Sequence, residues 1–362
     1  MKIKYFLYFI LLISEGISFN SCKEQTTQVN VSSNQNIVIN GKINPFNHFP
    51  LEPTISLRYF DIISGSQTIF TDSINENGEF TFSFFKGFAQ DVRLDYHNGT
   101  LLLIVSPGDN INIEFDAHEF IVPGIYYKNG ETTIKYSGGD TELNNEIAAF
   151  HLDQWFNQDE EEAQADLIKT REAIEFKDII IERCNDLNLM LTDSIEQKSC
   201  SESFSKWAKY YVDYYFGTIL YEYGRLRPSM KIDETEMPDD YFIINDRFKI
   251  DREEASVCTL YGAFLNEYRI HLIGRATKEM KESSIDMKDL DKTIDFMINY
   301  IIQNSKGFAK DILISQELYT PLKFERPEIF EKYYPIYKSN IISDKIRNIL
   351  EARYETFKIG LE

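Results

Sequence analysis

Four cysteines carry the most reactive side chains of this 362-residue chain, and they lie far apart. Cys22 follows the stretch SFNS near the N-terminus, whereas Cys184, Cys200 and Cys258 lie in the second half. No two of them form a C-x-x-C pair, so the sequence shows no thioredoxin-type redox centre. The spacing of Cys184 and Cys200 would allow a disulfide across a helical hairpin in an oxidising compartment; alternatively, both are small buried thiols.

The residues before Cys22 have the pattern of a targeting segment. Lys2 and Lys4 precede an apolar run at 5–13, which is too short to span about 30 Å of hydrocarbon but suits a signal peptide. Ser21 lies directly before Cys22, and this ending resembles a lipobox, in which cleavage occurs before a cysteine that carries a diacylglycerol. The sequence therefore predicts lipid attachment at Cys22, the alternative being a plain signal peptide that is cleaved elsewhere.

This interpretation divides the N-terminal region and indicates a location. We expect residues 1–21 to be a lipoprotein signal peptide and 22–36, a polar stretch, to be a tether. The protein would then lie in the cell envelope, anchored to the outer membrane or another periplasm-facing membrane. A net charge of -20 and a pI of about 4.8 argue against nucleic-acid binding, because such a surface repels phosphates.

The second candidate for chemistry is an aromatic helix face in the segment 206–227. Aromatic residues recur there at helical spacing: Trp207, Tyr210, Tyr211, Tyr214 and Tyr215. Such a face could stack on a glycan or a peptide, or it could simply pack against neighbouring helices. The histidines show no metal-binding spacing, and no nucleophile-elbow or phosphate-loop motif occurs, so we expect neither an enzyme nor a bound metal or cofactor.

Two regions of different periodicity must position these residues. Alternating apolar residues predict strands at 37–43, 54–60, 79–84, 91–97, 100–105 and 111–115, separated by Gly- and Asn-rich turns. From Gly138 onward the period is helical, with Asp140 or Thr141 as the expected N-cap and several prolines expected in loops. The prediction is an α+β chain: a small antiparallel β-sandwich over 37–137, followed by a mainly α-helical domain over 138–362.

Four motifs in the strand region and at the start of the helical region carry a resemblance to a known family. They are INGKI at 39–43, DSINENGEFTF at 72–82, LLLIVSPGDNINIEF at 101–115 and YSGGDTELNNEI at 136–147. Together with the lipobox they resemble the N-terminal domain of unknown function in lipoproteins of the thioredoxin-like disulfide reductase family. The resemblance implies a β domain, then a helical segment, then a thioredoxin fold with a W-C-x-x-C centre.

The chain departs from that family at its C-terminal end. FKIG at 357–360 resembles the lead-in to such a thioredoxin domain, yet the sequence contains no W-C-x-x-C, so no catalytic residue is carried over. The leading hypothesis is a membrane-anchored lipoprotein with a non-catalytic binding or scaffolding role toward a protein partner or glycan. The alternatives are the accessory N-terminal half of a thiol-disulfide oxidoreductase, whose thioredoxin domain is missing or separately encoded, and a glycan-binding module.

Overall fold

The fold is known from a computed structural model that describes residues 36–45, 51–97, 99–117, 133–150, 158–230 and 237–359. The predicted signal peptide, Cys22 and nearly all of the predicted tether lie outside these residues. Within the described ranges, no helix combines the length and the apolar character needed to cross a bilayer.

The N-terminal part consists of short strands, and all six of the predicted strands are confirmed. The described strands are β1 (Asn36–Asn44), β2 (Thr54–Asp61), β3 (Ser66–Ser73), β4 (Glu79–Phe85), β5 (Gln90–Tyr96), β6 (Gly99–Val105), β7 (Asn110–Asp116) and β8 (Lys135–Ser137). The sequence analysis missed β3 and β8. In β3 the alternate residues are half-buried rather than buried, so its apolar periodicity is weak.

These strands form two four-stranded sheets that pack face to face. The outer sheet has the order β4-β1-β7-β8 and the inner sheet the order β3-β2-β5-β6. β1 pairs with β4 in antiparallel and with β7 in parallel orientation, whereas the other described pairs are antiparallel. The apolar faces of both sheets fill one core, which includes Ile39, Leu57, Leu94, Ile113 and Phe115.

Strand β6 of the inner sheet is buried on both faces. Leu101, Leu103 and Val105 point into the core between the sheets. Leu102 and Ile104, on the opposite face, belong to the core of the helical part. The continuous apolar run LLLIV therefore follows from burial on two sides, and the chain is an α+β structure of three layers: outer sheet, inner sheet and helices.

The helical layer contains ten described α-helices. They are α1 (Thr141–Phe150), α2 (Gln158–Thr170), α3 (Ala173–Lys198), α4 (Glu202–Ser229), α5 (Ile244–Arg247), α6 (Thr259–Glu282), α7 (Leu290–Asn304), α8 (Gly307–Lys323), α9 (Pro327–Tyr337) and α10 (Asp344–Ile359). Asp140 caps α1 as predicted, since its Oδ1 accepts a hydrogen bond from the Leu143 amide at 3.1 Å.

The expectation that prolines lie in loops is wrong at three positions. Pro228, Pro321 and Pro335 lie inside α4, α8 and α9, each in the last turn. A proline lacks the amide hydrogen that would continue the helix, so each of these helices ends one or two residues later.

Of the two alternatives for Cys184 and Cys200, the structure excludes the disulfide, because no hairpin separates the two residues. Helix α3 runs without interruption from Ala173 to Lys198, with Cys184 near its middle and Cys200 just beyond its end. At about 1.5 Å of rise per residue the two Cα atoms are on the order of 20 Å apart, whereas a disulfide needs less than about 7 Å. Both thiols, and that of Cys258, are free.

A single amide side chain joins α1 to the inner sheet. The Ile104 amide donates to Asn144 Oδ1 at 2.6 Å, and Asn144 Nδ2 donates to the Ile104 carbonyl oxygen at 3.1 Å. Asn144 is fully buried. It satisfies both backbone groups of a residue on the last strand of the inner sheet, where no further strand is available in the described sheet order.

Replacing Asn144 by alanine should lower the free energy of unfolding by about 2–3 kcal/mol, because two buried backbone groups lose their partners. Urea unfolding of the purified protein measures this loss. The neighbouring Asn145 is exposed on the same helix, so Asn145→Ala is a matched control with an expected change of about 0.5 kcal/mol or less. Equal losses in the two variants would contradict this assignment.

Candidate functional site

The aromatic face of α4 turns toward the core rather than toward solvent. Trp207, Tyr211 and Tyr214 have exposures of 1%, 2% and 1%. Tyr214 donates a hydrogen bond to the Lys249 carbonyl oxygen at 2.9 Å, and Arg93 of β5 donates to the Tyr211 hydroxyl at 2.8 Å. A glycan cannot stack on rings that are covered on both sides, so the prediction of a ligand face is wrong for these three residues.

The two remaining members of that face are half-buried. Tyr210 lies beneath the Arg252 guanidinium, 5.2 Å from the ring centroid, and Tyr215 packs edge-on against Phe216 at 5.3 Å. Two rings that are each engaged by neighbouring side chains do not form a flat platform. The spacing that suggested a binding face is explained by helix packing alone.

Trp207 instead marks a junction between the inner sheet and the helices. Its indole Nε1 donates to Asp91 Oδ2 at 3.0 Å, and the amide of Thr259, at the start of α6, donates to Asp91 Oδ1 at 2.6 Å. Asp91 has no exposed surface. Burial raises the pKa of Asp91 to about 6, although both hydrogen bonds favour the carboxylate and oppose the rise.

A second buried carboxylate ties the last helix to the same sheet. Arg353 of α10 forms an ion pair with Asp61 at the end of β2, with Nη1 and Oδ2 2.5 Å apart. Burial alone would raise the pKa of Asp61, but the Arg353 guanidinium, with help from Lys86, holds it below its usual value. Burial alone would lower the pKa of Arg353, but the field of Asp61, the hydrogen bond to it and the fields of Tyr319 and Tyr59 together raise it.

Lys86 lies between Asp61 and Asp91 in the sequence, and both carboxylates act on its charge. Its ammonium lies over the Tyr59 ring, 3.6 Å from the centroid, and donates to Gln90 Oε1. Burial lowers the pKa of Lys86 to about 7, although Asp61 and Asp91 both act to raise it. We call Asp61, Lys86, Asp91 and Arg353 the seam cluster, because they lie where the inner sheet meets the helices.

The chemistry open to the seam cluster is limited by where its charges point. A buried lysine with a pKa near 7 has the properties of an amine nucleophile. The Lys86 ammonium, however, is enclosed by Tyr59 and Gln90, and each carboxylate is held by donors from a different element. The two cations and two carboxylates compensate one another, and the arrangement joins β2, β5, α4, α6 and α10 into one body.

A cavity of about 350 Å³ lies beside the seam cluster, between the strand turns and the last helix. The strand side of its wall includes Phe85, Gly87 and Pro107, and α10 contributes Lys345, Ile349 and Ala352. A Cβ atom at Gly87 would lie 2.1 Å from Ile349 Cδ1, so a larger residue here would displace the end of that side chain. The backbone of the turn therefore lies close to α10, and the cavity opens next to that contact.

The three described thiols are poorly suited to redox chemistry. Burial raises the pKa of Cys184 to about 11 and that of Cys258 well above its usual value, and burial followed by the field of Glu146 raises that of Cys200. A thiol is nucleophilic as its thiolate, and the raised pKa values disfavour the thiolate at all three cysteines. In the described parts of the chain no three His, Cys, Asp or Glu side chains are grouped so as to hold a metal ion.

Comparison with known proteins adds no relative. No family model matches the chain, and neither the curated proteins nor the solved structures contain a significant match. The assignment of function therefore depends on the residues of this chain alone.

The sequence analysis did not select any member of the seam cluster. Asp61 and Lys86 each follow directly on aromatic residues, in YFD and FFK, and Asp91 begins a buried strand. A charge inside an apolar run signals burial with a partner. The partners, however, come from α4, α6 and α10. The local sequence pattern of a strand cannot identify a partner residue on a helix that is distant in sequence.

Replacing Arg353 by methionine should lower the free energy of unfolding by about 3–5 kcal/mol, because Asp61 is left charged and buried. Asp61→Asn should lower the free energy of unfolding less in the Arg353→Met variant than in the wild type, and the difference should be at least about 1 kcal/mol. Chemical unfolding of the single and double variants measures the coupling.

The matched control for this cycle is the exposed pair of Arg326 and Glu328, whose side chains are 52% and 59% exposed. Arg326→Met should cost less than about 1 kcal/mol. Additive losses from Asp61→Asn and Arg353→Met would rule out the coupling that the geometry implies.

Lys86 should make stability depend on pH above neutrality. Its pKa is about 7 in the folded protein and 10.5 as a free side chain, so between these values the unfolded state binds more protons. The free energy of unfolding should therefore rise with pH in this window, by up to about 1.4 kcal/mol per pH unit, and not below it.

The pH effect is measured as the difference in stability between the wild type and Lys86→Met, from about pH 7 to about pH 9.5. As the pH rises, the free energy of unfolding of the wild type should increase relative to that of Lys86→Met. Lys338 is exposed, and the same comparison with Lys338→Met should show a constant difference. A constant difference for Lys86→Met as well would mean that Lys86 is charged in the folded state throughout this range.

Proposed function

We propose that this chain is a bacterial envelope lipoprotein, attached to a membrane through Cys22, whose three-layer body is a non-catalytic binding or scaffolding module. The attachment is supported by the order of Lys2, Lys4, the apolar run at 5–13, and Ser21 directly before Cys22. The polar stretch at 22–36 would separate the membrane from β1.

The observation that carries the non-catalytic role is the pairing within the seam cluster. Ionisable groups with strongly shifted pKa values are candidates for catalysis when they face a cleft. Here the Lys86 ammonium is held by Tyr59 and Gln90, and the Asp91 carboxylate accepts a hydrogen bond from Trp207; of these residues only Lys86 belongs to the wall of the neighbouring cavity. The ionisable groups whose pKa values are shifted thus connect the inner sheet to the helical layer. The neighbouring cavity is the part of this region that could hold a ligand.

The accessory role in a thiol-disulfide oxidoreductase remains the alternative proposal. It is supported by the resemblance of the motifs at 72–82 and 101–115 and by FKIG at 357–360. Any thiol exchange in such an assembly would need cysteines other than Cys184, Cys200 and Cys258, whose pKa values are all raised. A reading frame for a W-C-x-x-C domain next to this gene would favour this alternative over a stand-alone lipoprotein.

Fatty-acid labelling tests the anchor. The wild-type chain, produced in a Gram-negative bacterium fed an alkyne-tagged fatty acid, should take up the label and fractionate with membranes. Cys22→Ala should lose both properties, because the thioether to the diacylglycerol cannot form.

Cys200→Ala serves as the matched control, since Cys200 is a half-buried thiol of the body and should keep the label. Unchanged labelling of Cys22→Ala would contradict attachment at this residue. Turnover of a thiol, ester or glycosidic substrate by the purified chain would separately contradict the non-catalytic role.

A further inference from the structure

The cavity between the strand turns and α10 has a wall of unusual charge for so acidic a protein. Among the described residues that line it, the ionisable side chains are Lys86 and Lys345, and no carboxylate takes part. The chain as a whole carries a net charge of -20. An anionic ligand would therefore meet two cations and no carboxylate in the wall of this cavity.

The two lysines have different parts in this wall. The Lys86 ammonium is already engaged by the Tyr59 ring and Gln90 Oε1. Lys345 is an exposed residue whose Nζ lies 4.1 Å from the centroid of the Phe88 ring. This ring contact holds the Lys345 ammonium close to the cavity and leaves it available to an incoming anion.

The surroundings of Lys345 favour an anionic partner. Desolvation lowers the pKa of Lys345, and the field of Glu253, which is not a residue of the wall, acts in the opposite direction. A carboxylate bound in the cavity would offset that desolvation with a charge-assisted hydrogen bond.

Apart from the Asn348 amide, the remainder of the wall is apolar and defines the body of the ligand. Phe85 and Pro107 face Ile349 and Ala352 across the cavity. A volume of about 350 Å³ lies at the lower end of the range for small-molecule sites, which often occur where two structural units meet. The space suits a compact ring or short chain.

We propose that this cavity binds a small apolar carboxylate, whose apolar body packs between Pro107 and Ile349 and whose carboxylate accepts a hydrogen bond from Lys345 Nζ. The inference deepens the proposed binding role and rests on it, but it does not depend on the lipid anchor. A ligand in this position would contact both the inner-sheet turns and α10, so binding would also stabilise the seam between them.

The test uses phenylacetate as the probe and the full-length purified protein, with calorimetric titration. Phenylacetate should bind saturably with a Kd near or below about 1 mM. Phenylacetamide has the same shape without the charge and should bind at least about fivefold more weakly. Inorganic phosphate, which lacks the apolar body, should not displace phenylacetate.

Variants locate the site. Lys345→Gln should weaken phenylacetate binding about fivefold, Lys345→Glu more strongly, and Lys345→Arg should keep the wild-type affinity. Ala352→Leu fills part of the cavity and should reduce the affinity for both probes. Lys338→Gln, which removes an exposed charge outside the cavity wall, is the matched control and should change nothing.

Each outcome bears on the proposal. Absence of saturable binding, equal affinity for phenylacetate and phenylacetamide, or an unaffected Lys345→Gln variant would overturn it, provided that thermal unfolding shows the variants to be folded. Displacement by phosphate would overturn the apolar part of the assignment. The labelling of Cys22 is measured independently, so failure of this site and failure of the proposed anchor can be told apart.

Discussion

The inner sheet carries apolar side chains on both faces, so each face must be covered before this sheet is stable in water. The outer sheet covers one face and the helices cover the other. Strand β6 illustrates the requirement, because its consecutive residues Leu101 to Val105 alternate between the two cores and are all buried. Helices α1, α4, α6, α8 and α10 contact the inner sheet or the turn that follows β2.

The same constraint explains why charged residues occur deep in the structure. Strands β2 and β5 end or begin at the edge of the covered face, and their carboxylates at Asp61 and Asp91 have no access to solvent that could hydrate them fully. Each has instead a donor from the helical layer: Arg353, or Trp207 with Thr259. These polar contacts, together with apolar packing, fix the position of the helices on the sheet. If a helix moved along the sheet by one residue, a buried carboxylate would lose its partner.

The local pattern of the sequence was sufficient for the elements that form by short-range rules. Alternation identified six strands, and Asp140 was identified as an N-cap. It was not sufficient where distant contacts decide. The helical spacing around Trp207 is compatible with a ligand-binding face and with packing against a sheet, and the structure has the second. Likewise, the spacing of Cys184 and Cys200 is compatible with a hairpin and with one continuous helix, and the structure has the helix α3. The cavity next to Lys345 was invisible for the same reason, because its walls come from turns and a helix that are far apart in sequence.

The two hydrogen bonds between Asn144 and Ile104 have a consequence for the behaviour of the protein among its neighbours. The last strand of a sheet presents free amide and carbonyl groups on which a strand of another chain can add. Asn144 occupies one such pair at Ile104, next to the last residue of β6, and α1 packs against the same strand. Because the amide and the carbonyl of Ile104 are already paired with Asn144, a strand of another chain could not form hydrogen bonds to them, and strand addition at that edge is disfavoured.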